Sequence, residues 1–250
     1  MPEIRSLGTG SVAAILAGVL CACASGPQLP GTGAGDAASL EADAAPSLAT
    51  RYAEFARNGE RVVHIDPAAS TVHIYAFRGG VAARLGHNHV LTAPEFTAYA
   101  HYPPGESTQG GFDLQFRLDR LRLDDAAERA QLGSAFAKTL DEADIASTRE
   151  HMLGAESLQA ERYPYVRLHG LRLVGEGPAR AAQVEVTMHG RQREFWLPLH
   201  VEEAQARLVV SGSFVLRQSD FDVTPYSVLG GAIAVQDEVV VEFRLVGSAP

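Results

Sequence analysis

From about residue 60 onward the chain alternates apolar and polar residues, the period of half-buried β-strands. In "FDLQFRL", Phe112, Leu114, Phe116 and Leu118 share one face, with Asp113, Gln115 and Arg117 opposite. The phase then slips, so Leu121 and Leu123 stay inside only if the strand bends or bulges near Arg120. "ARLVVSGSFVL" places Leu208, Val210, Gly212, Phe214 and Leu216 together, and "EVVVEFRLV" does the same for Val239, Val241, Phe243 and Leu245. Arg61–Pro67 and Ser70–Phe77, separated by Pro-Ala-Ala, read as a hairpin. A second turn is expected at His189-Gly190, with His189 exposed.

Helical text interrupts the strands. A short helix is expected over Arg51–Arg57, and Ala-rich sequence from Asp125 to Glu161 carries Ile145, Met152 and Leu153 at helical spacing. The pattern predicts a mainly β domain of seven to nine antiparallel strands with one helical insertion. A sheet of that length closes on itself, because closure removes its edges. About eight strands enclose room for one small ligand. Phe77, Phe112, Phe116, Trp196, Phe214, Tyr226 and Phe243 read mostly as core.

One stretch breaks the apolar rule. In "LGHNHVL" His87 and His89 lie two apart, so on a strand they share a face with Leu85 and Leu91. They could ligate a metal ion or haem, meet a ligand's polar group, or simply be satisfied by hydrogen bonds. Zinc needs three or four protein ligands, and His151, His73 and His101 are the candidates for a third. His64, His169 and His200 read as outer-face residues.

The first residues read differently. Arg5 and the small apolar run Ser11–Leu20 form a signal segment, too short to span a bilayer as a mature helix. "LCAC" resembles a lipobox at Cys23, which implies residues 1–22 as a lipoprotein signal and a lipid anchor on Cys23. The alternative is a plain secretory signal cut near Ala24. That Ala24, not Asp, follows the cysteine favours the outer membrane, on the periplasmic face of a bacterial envelope. Residues 23–50 read as a flexible tether of roughly 30 Å reach, and residues 51–250 as the domain. Both cysteines lie in the signal, which leaves histidine and carboxylate chemistry to the domain. A net charge of −9 without a basic patch argues against nucleic acid.

The order of motifs resembles the YceI-like family of periplasmic proteins. Ile65-Asp66, Ser70 and Val72 open it, and "LGHNHVL" follows. His151 then precedes Tyr163-Pro164 at the family spacing. "MHGRQREFWLPL", Arg217 and Asp220-Phe221 complete the series. This chain departs from the pattern at Asp222, where the family carries Gly, at Gln192-Arg193, where Thr-Lys is usual, and at Arg149, one position late. The resemblance covers His64–Val246 and implies a lipocalin-like eight-stranded barrel with an apolar interior. It also implies that some members hold a polyisoprenoid or similar amphiphile there.

The expectation is therefore a non-enzymatic, lipid-anchored binding protein. Its partner would be an apolar or amphipathic small molecule such as an isoprenoid or quinone, and a homodimer is among the assemblies the sequence allows. Phe112, Phe116 and Phe214 would contact the chain of the ligand, and Arg84, His87, His89, Arg149 and His151 its head. The competing reading is a metal- or haem-binding module, enzymatic or not, built on His87 and His89. A third is a structural lipoprotein without a small ligand.

Overall fold

The computed structural model describes residues 47–104, 110–204 and 207–248. The expected signal segment, Cys23 and nearly all of the tether lie outside the described residues.

The strand pattern resolves into a closed antiparallel barrel. β1 (Arg61–Ile65) and β2 (Thr71–Gly79) are consecutive parts of one barrel strand. β3 (His89–Thr92) with β4 (Thr97–Tyr102) make the second, and β5 (Gly111–Arg117) with β6 (Arg122–Leu123) the third. β7 (Tyr165–Glu176), β8 (Ala179–Met188), β9 (Arg191–Ala204), β10 (Arg207–Arg217) and β12 (Ile233–Ser248) complete eight, while β11 (Ser227–Val228) only bridges to β12. Each strand pairs with the next in sequence. The ring closes where β12 meets β2 (Val241 opposite Ile74) and β1 (His64 opposite Ser248).

This ring corrects two expectations. β1 and β2 are not a hairpin: β1 pairs with β4 and β2 with β3. The Pro67–Ala69 segment is a 3-10 turn, capped by the Asp66 carboxylate accepting from Ala68 N–H, that kinks one strand without reversing it. "LGHNHVL" is not a single strand either. A 3-10 turn covers Ala83–Leu85 and the strand begins only at His89, which leaves Leu85 60% exposed, away from Leu91 in the core. The bend expected near Arg120 takes the form of a 3-10 turn, Leu118–Arg120, and keeps Leu118, Leu121 and Leu123 buried.

The helical text also divides. α1 (Leu48–Arg57) starts three residues before its expected position, with the Ser47 hydroxyl accepting from Thr50 N–H. Asp125 to Glu161 holds two helices, α2 (Ala126–Gln131) and α3 (Glu142–Leu153), capped by Asp125 and Asp141. A 3-10 turn at Ser134–Phe136 lies between them.

α1 packs on the outside of the barrel. The Tyr52 ring stacks on Tyr99 at 4.9 Å, and its hydroxyl donates to Asp113 at 2.7 Å. Arg51 and His169 meet the same carboxylate, so Asp113 ties α1 to two strands. The up-and-down order puts 80–88, 124–164, 189–190 and 218–232 at one end, here termed the helical end.

Candidate functional site

The inward positions of the barrel are large and apolar, yet they do not fill it. A cavity of about 490 Å³ remains, within the range of about 300–1,000 Å³ that holds small ligands. The alternation read in β10 and β12 supplies much of its wall, including Val210, Phe214, Val241 and Phe243. Gly212 faces Phe243 across the pair, and a β-carbon there would lie 2.8 Å from that ring. The glycine is what lets the phenyl group lie against the wall. Phe112 and Phe116 line the same space. Trp196 does not belong to this core; it is half exposed on the outer face.

Polar residues line both ends of the cavity: Tyr102, Arg172 and Arg180 at the end away from the helices, and a cluster of histidines and hydroxyls at the helical end. His87 and His89 both face the cavity, although they reach it from a loop and a strand start, not from one strand face. Their rings meet edge to face with centroids 4.7 Å apart. Burial pushes the His87 pKa down, helped by His89 and the Lys138 ammonium beside it. Asn88, between the two, turns the other way; it accepts from Arg78 N–H and donates to Ala135 C=O, each at 3.0 Å. α3 adds Ser147, Thr148 and His151, and the His151 ring lies 4.5 Å from Tyr226.

Two residues that sequence reading passed over organise this end. Asp124, with φ of 54°, is 3% exposed and sits behind His89. Its Oδ2 accepts from His89 Nδ1 at 2.5 Å, and its Oδ1 accepts from Val90 N–H at 3.0 Å and from Arg129 Nη1 at 2.5 Å. Burial alone would raise this carboxyl, but His89, Val90 N–H and Arg129 hold it below the usual carboxylate range. Arg129 spends its remaining donors on the carbonyls of Asn88, Phe136 and Lys138. The only sequence signal was Asp124 preceding the capping Asp125, and nothing local pairs it with a histidine 35 residues earlier.

His87 and His89 find no third metal ligand among the described residues. Asp124 occupies one nitrogen of His89, and Lys138 Nζ lies 3.4 Å from His87 Nδ1. Among the described residues no three His, Cys, Asp or Glu side chains converge as ligands. His151 remains as a neighbour of Tyr226, while His101 stacks on Phe55 and bonds to Glu60, outside the cavity. His73 pairs opposite Glu242 and does not line the cavity.

Of the residues expected to form the site, the structure brings together Phe112, Phe116 and Phe214 along the wall and His87, His89 and His151 at the helical end. Arg84 and Arg149 stand apart from the cavity lining. Arg84 is exposed on the loop before His87, and Arg149 donates to the backbone carbonyls of Asp119 and Leu121, fastening α3 across the bend after β5.

The remaining motif residues meet at one corner of the helical end. His189 is half-buried there, not exposed: its Nδ1 donates to Phe221 C=O at 2.9 Å and its ring lies 5.0 Å from Tyr163. Arg191 pairs with Asp222 at 2.6 Å. Asp222 holds φ of 56°, which explains why glycine suits this position and why Asp, tolerant of that region, can replace it.

The profile of the YceI-like domain matches residues 64–247. The chain belongs to the YceI-like family. Among solved structures, this YceI-like barrel resembles BcnA of Burkholderia cenocepacia with a TM-score of 0.54 at 17% identity, over 73% of this chain and 98% of that one. The YceI protein of Campylobacter jejuni aligns with a TM-score of 0.45 at 10% identity, over 64% and 84%. These likenesses concern the fold. A search of curated proteins finds no match. The YceI-like barrel is a binding-type fold and not a known enzyme family.

Proposed function

We propose that this YceI-like protein is a carrier that holds an apolar or amphipathic molecule, of the isoprenoid or quinone kind, inside its barrel. The observation that carries this reading is the cavity of about 490 Å³ inside the barrel. Its middle is apolar along the strands, with imidazoles and hydroxyls at the helical end and Tyr102, Arg172 and Arg180 at the other. The apolar middle suits a long apolar chain, and the histidine cluster suits a small polar head. The chain would lie along Phe112, Phe116 and Phe214, where burial contributes about 25 cal/mol per Å² of apolar surface. The head would meet His87, His89 or His151. Arg84 and Arg149 have no part in this contact.

The setting is proposed along with the cargo: a lipid anchor on Cys23 and a place on the periplasmic face of a bacterial envelope. A tethered carrier need not transform what it holds, so no catalytic role is assigned to the histidines.

Solvent extraction of the purified full-length protein, with mass analysis of the extract, tests the reading. The expected result is an isoprenoid-type species in near-stoichiometric amount. Protein that extracts clean, and that takes up no quinone or isoprenoid alcohol when these are supplied, would contradict it.

A further inference from the structure

Apolar side chains that face solvent are not spread evenly over this barrel. Seven large hydrophobic residues are exposed among the described residues, and four of them, Val81, Leu85, Tyr226 and Leu229, lie at the helical end. Val81 is 97% exposed, Leu229 77% and Leu85 60%. We propose that these three tips form a lipid-docking rim, which enters the surface of a bilayer beside the helical end of the cavity.

The backbone holds the tips out. Leu229, Gly230 and Gly231 have φ of 53°, 65° and 86°, and the left-handed region is unfavourable for a leucine. The turn that results projects Leu229 away from the core. Ala82 N–H donates to Ala232 C=O at 2.8 Å, so the Val81 and Leu229 loops are tied into one rim. Gly80 permits the contact, since a β-carbon there would lie 2.5 Å from the carbonyl oxygens of Ala232 and Gly231. Gly86, Ile233 and Ala234, from the bases of the same loops, line the cavity. The rim and the cavity are therefore continuous.

The shape favours lipid over a protein partner. A stable protein interface engages about 20–30 residues a side. Here three separate tips protrude, a geometry that suits insertion between lipid headgroups. Arg84 is exposed between Val81 and Leu85 and is the cation among the tips. The loops of the helical end together hold eleven Asp and Glu against five Lys and Arg, so docking rests on the apolar tips and not on charge. The rim stands on this geometry alone; only its use, loading the cavity from the bilayer, rests on the proposed carrier function.

The test uses the full-length chain carrying Cys23→Ser, so that no lipid can be attached there, and vesicles of phosphatidylcholine, which carry no net charge. The parent should float with the vesicles. Val81→Asp, Leu85→Asp and Leu229→Asp combined should weaken binding at least about tenfold, given the transfer energy of even one such side chain. Val215→Asp, on the barrel side, should leave it unchanged, and all variants should keep the parent's circular dichroism. A parent that does not bind vesicles, or a triple variant that binds as well as the parent, overturns the rim. So does a dimer that the triple substitution abolishes in the absence of vesicle binding. Extraction of the same preparations keeps the two proposals separate. Protein loaded with cargo but indifferent to the rim substitutions sinks the rim alone. Empty protein that floats through the rim upholds the rim while the carrier reading fails.

Discussion

His89 and Asp124 face each other across 2.5 Å, Nδ1 to Oδ2, at the helical end of the barrel cavity. An ionised carboxylate only accepts, so Nδ1 carries the proton, and in the neutral ring Nε2 keeps its lone pair for whatever lies in the cavity. Arg129, on the other oxygen of Asp124, balances the buried charge. The pair fixes one imidazole, while His87 beside it is kept neutral by its surroundings. A head group with a hydroxyl or amide hydrogen would find an acceptor there.

Removing the carboxylate should cost more than removing the imidazole. Asp124→Asn leaves Arg129 buried without its counter-charge, a change that destabilises by about 3–5 kcal/mol in comparable buried pairs. His89→Ala keeps the Asp124–Arg129 pair and should cost about 1–3 kcal/mol. Urea unfolding of both variants measures the difference. Equal losses would mean that Asp124 serves His89 alone.

The second prediction concerns pH. The hydrogen bond to Asp113 raises the His169 pKa above its ordinary value of 6.5, against the opposing effect of burial. Burial pushes Asp113 up, but His169, Tyr52 and Arg51 together hold it below its ordinary 3.8. A raised histidine stabilises fully below its unfolded value and loses that contribution as pH rises through the folded one. A depressed carboxylate stabilises above its unfolded value and loses it as pH falls through the folded one. The α1 attachment should therefore be strongest between about pH 4 and 6.5. His169 is half exposed, so the effect on the melting temperature should be small. Melting temperatures across pH 3–9 should show a shallow alkaline decline that His169→Ala removes. A decline that persists in that variant would point to another group.

Much of the barrel could be read from the chain. The inward faces of β10 and β12 follow from strict alternation, because a one-residue slip would turn every side chain outward. The first strand was misread, since Pro67-Ala68-Ala69 has the composition of a reversing turn. What distinguishes a kink from a hairpin is that β1 finds its partner, β4, some 40 residues away. Leu85 reads as inside for a related reason: its spacing to Leu91 assumes continuous strand, and the 3-10 turn at Ala83–Leu85 resets the phase. The histidines of the site were visible, but their support was not. Asp124 and Arg129 become a unit only when α2 folds back over Asn88.

Arg149 offers a clean separation of stability from binding. Its contacts are two backbone carbonyls, so Arg149→Gln should lower stability by about 1 kcal/mol and leave the extracted cargo unchanged. A variant of normal stability that emerged empty would restore the arginine to the head-group contact.

At Asp222 two small effects should nearly cancel. Asp222→Gly relieves a positive φ but loses a half-exposed pair with Arg191, worth about 0–1 kcal/mol. Its unfolding free energy should stay within about 1 kcal/mol of the parent. Asp222→Val, β-branched at the same φ, should lose more than that. Thermal or urea melts of the two variants decide it, and a valine variant as stable as the glycine one would refute the backbone argument.

The central claim is that the cavity is the binding site, and native mass spectrometry of the parent and Val210→Trp tests it most directly. Val210 lines the cavity from β10, and the larger indole would occupy the space of the ligand's chain. The parent should carry an extra mass that solvent extraction removes and an added isoprenoid quinone restores. The folded Val210→Trp protein should carry none and restore none. An equal load on both proteins would place the ligand elsewhere and contradict the account.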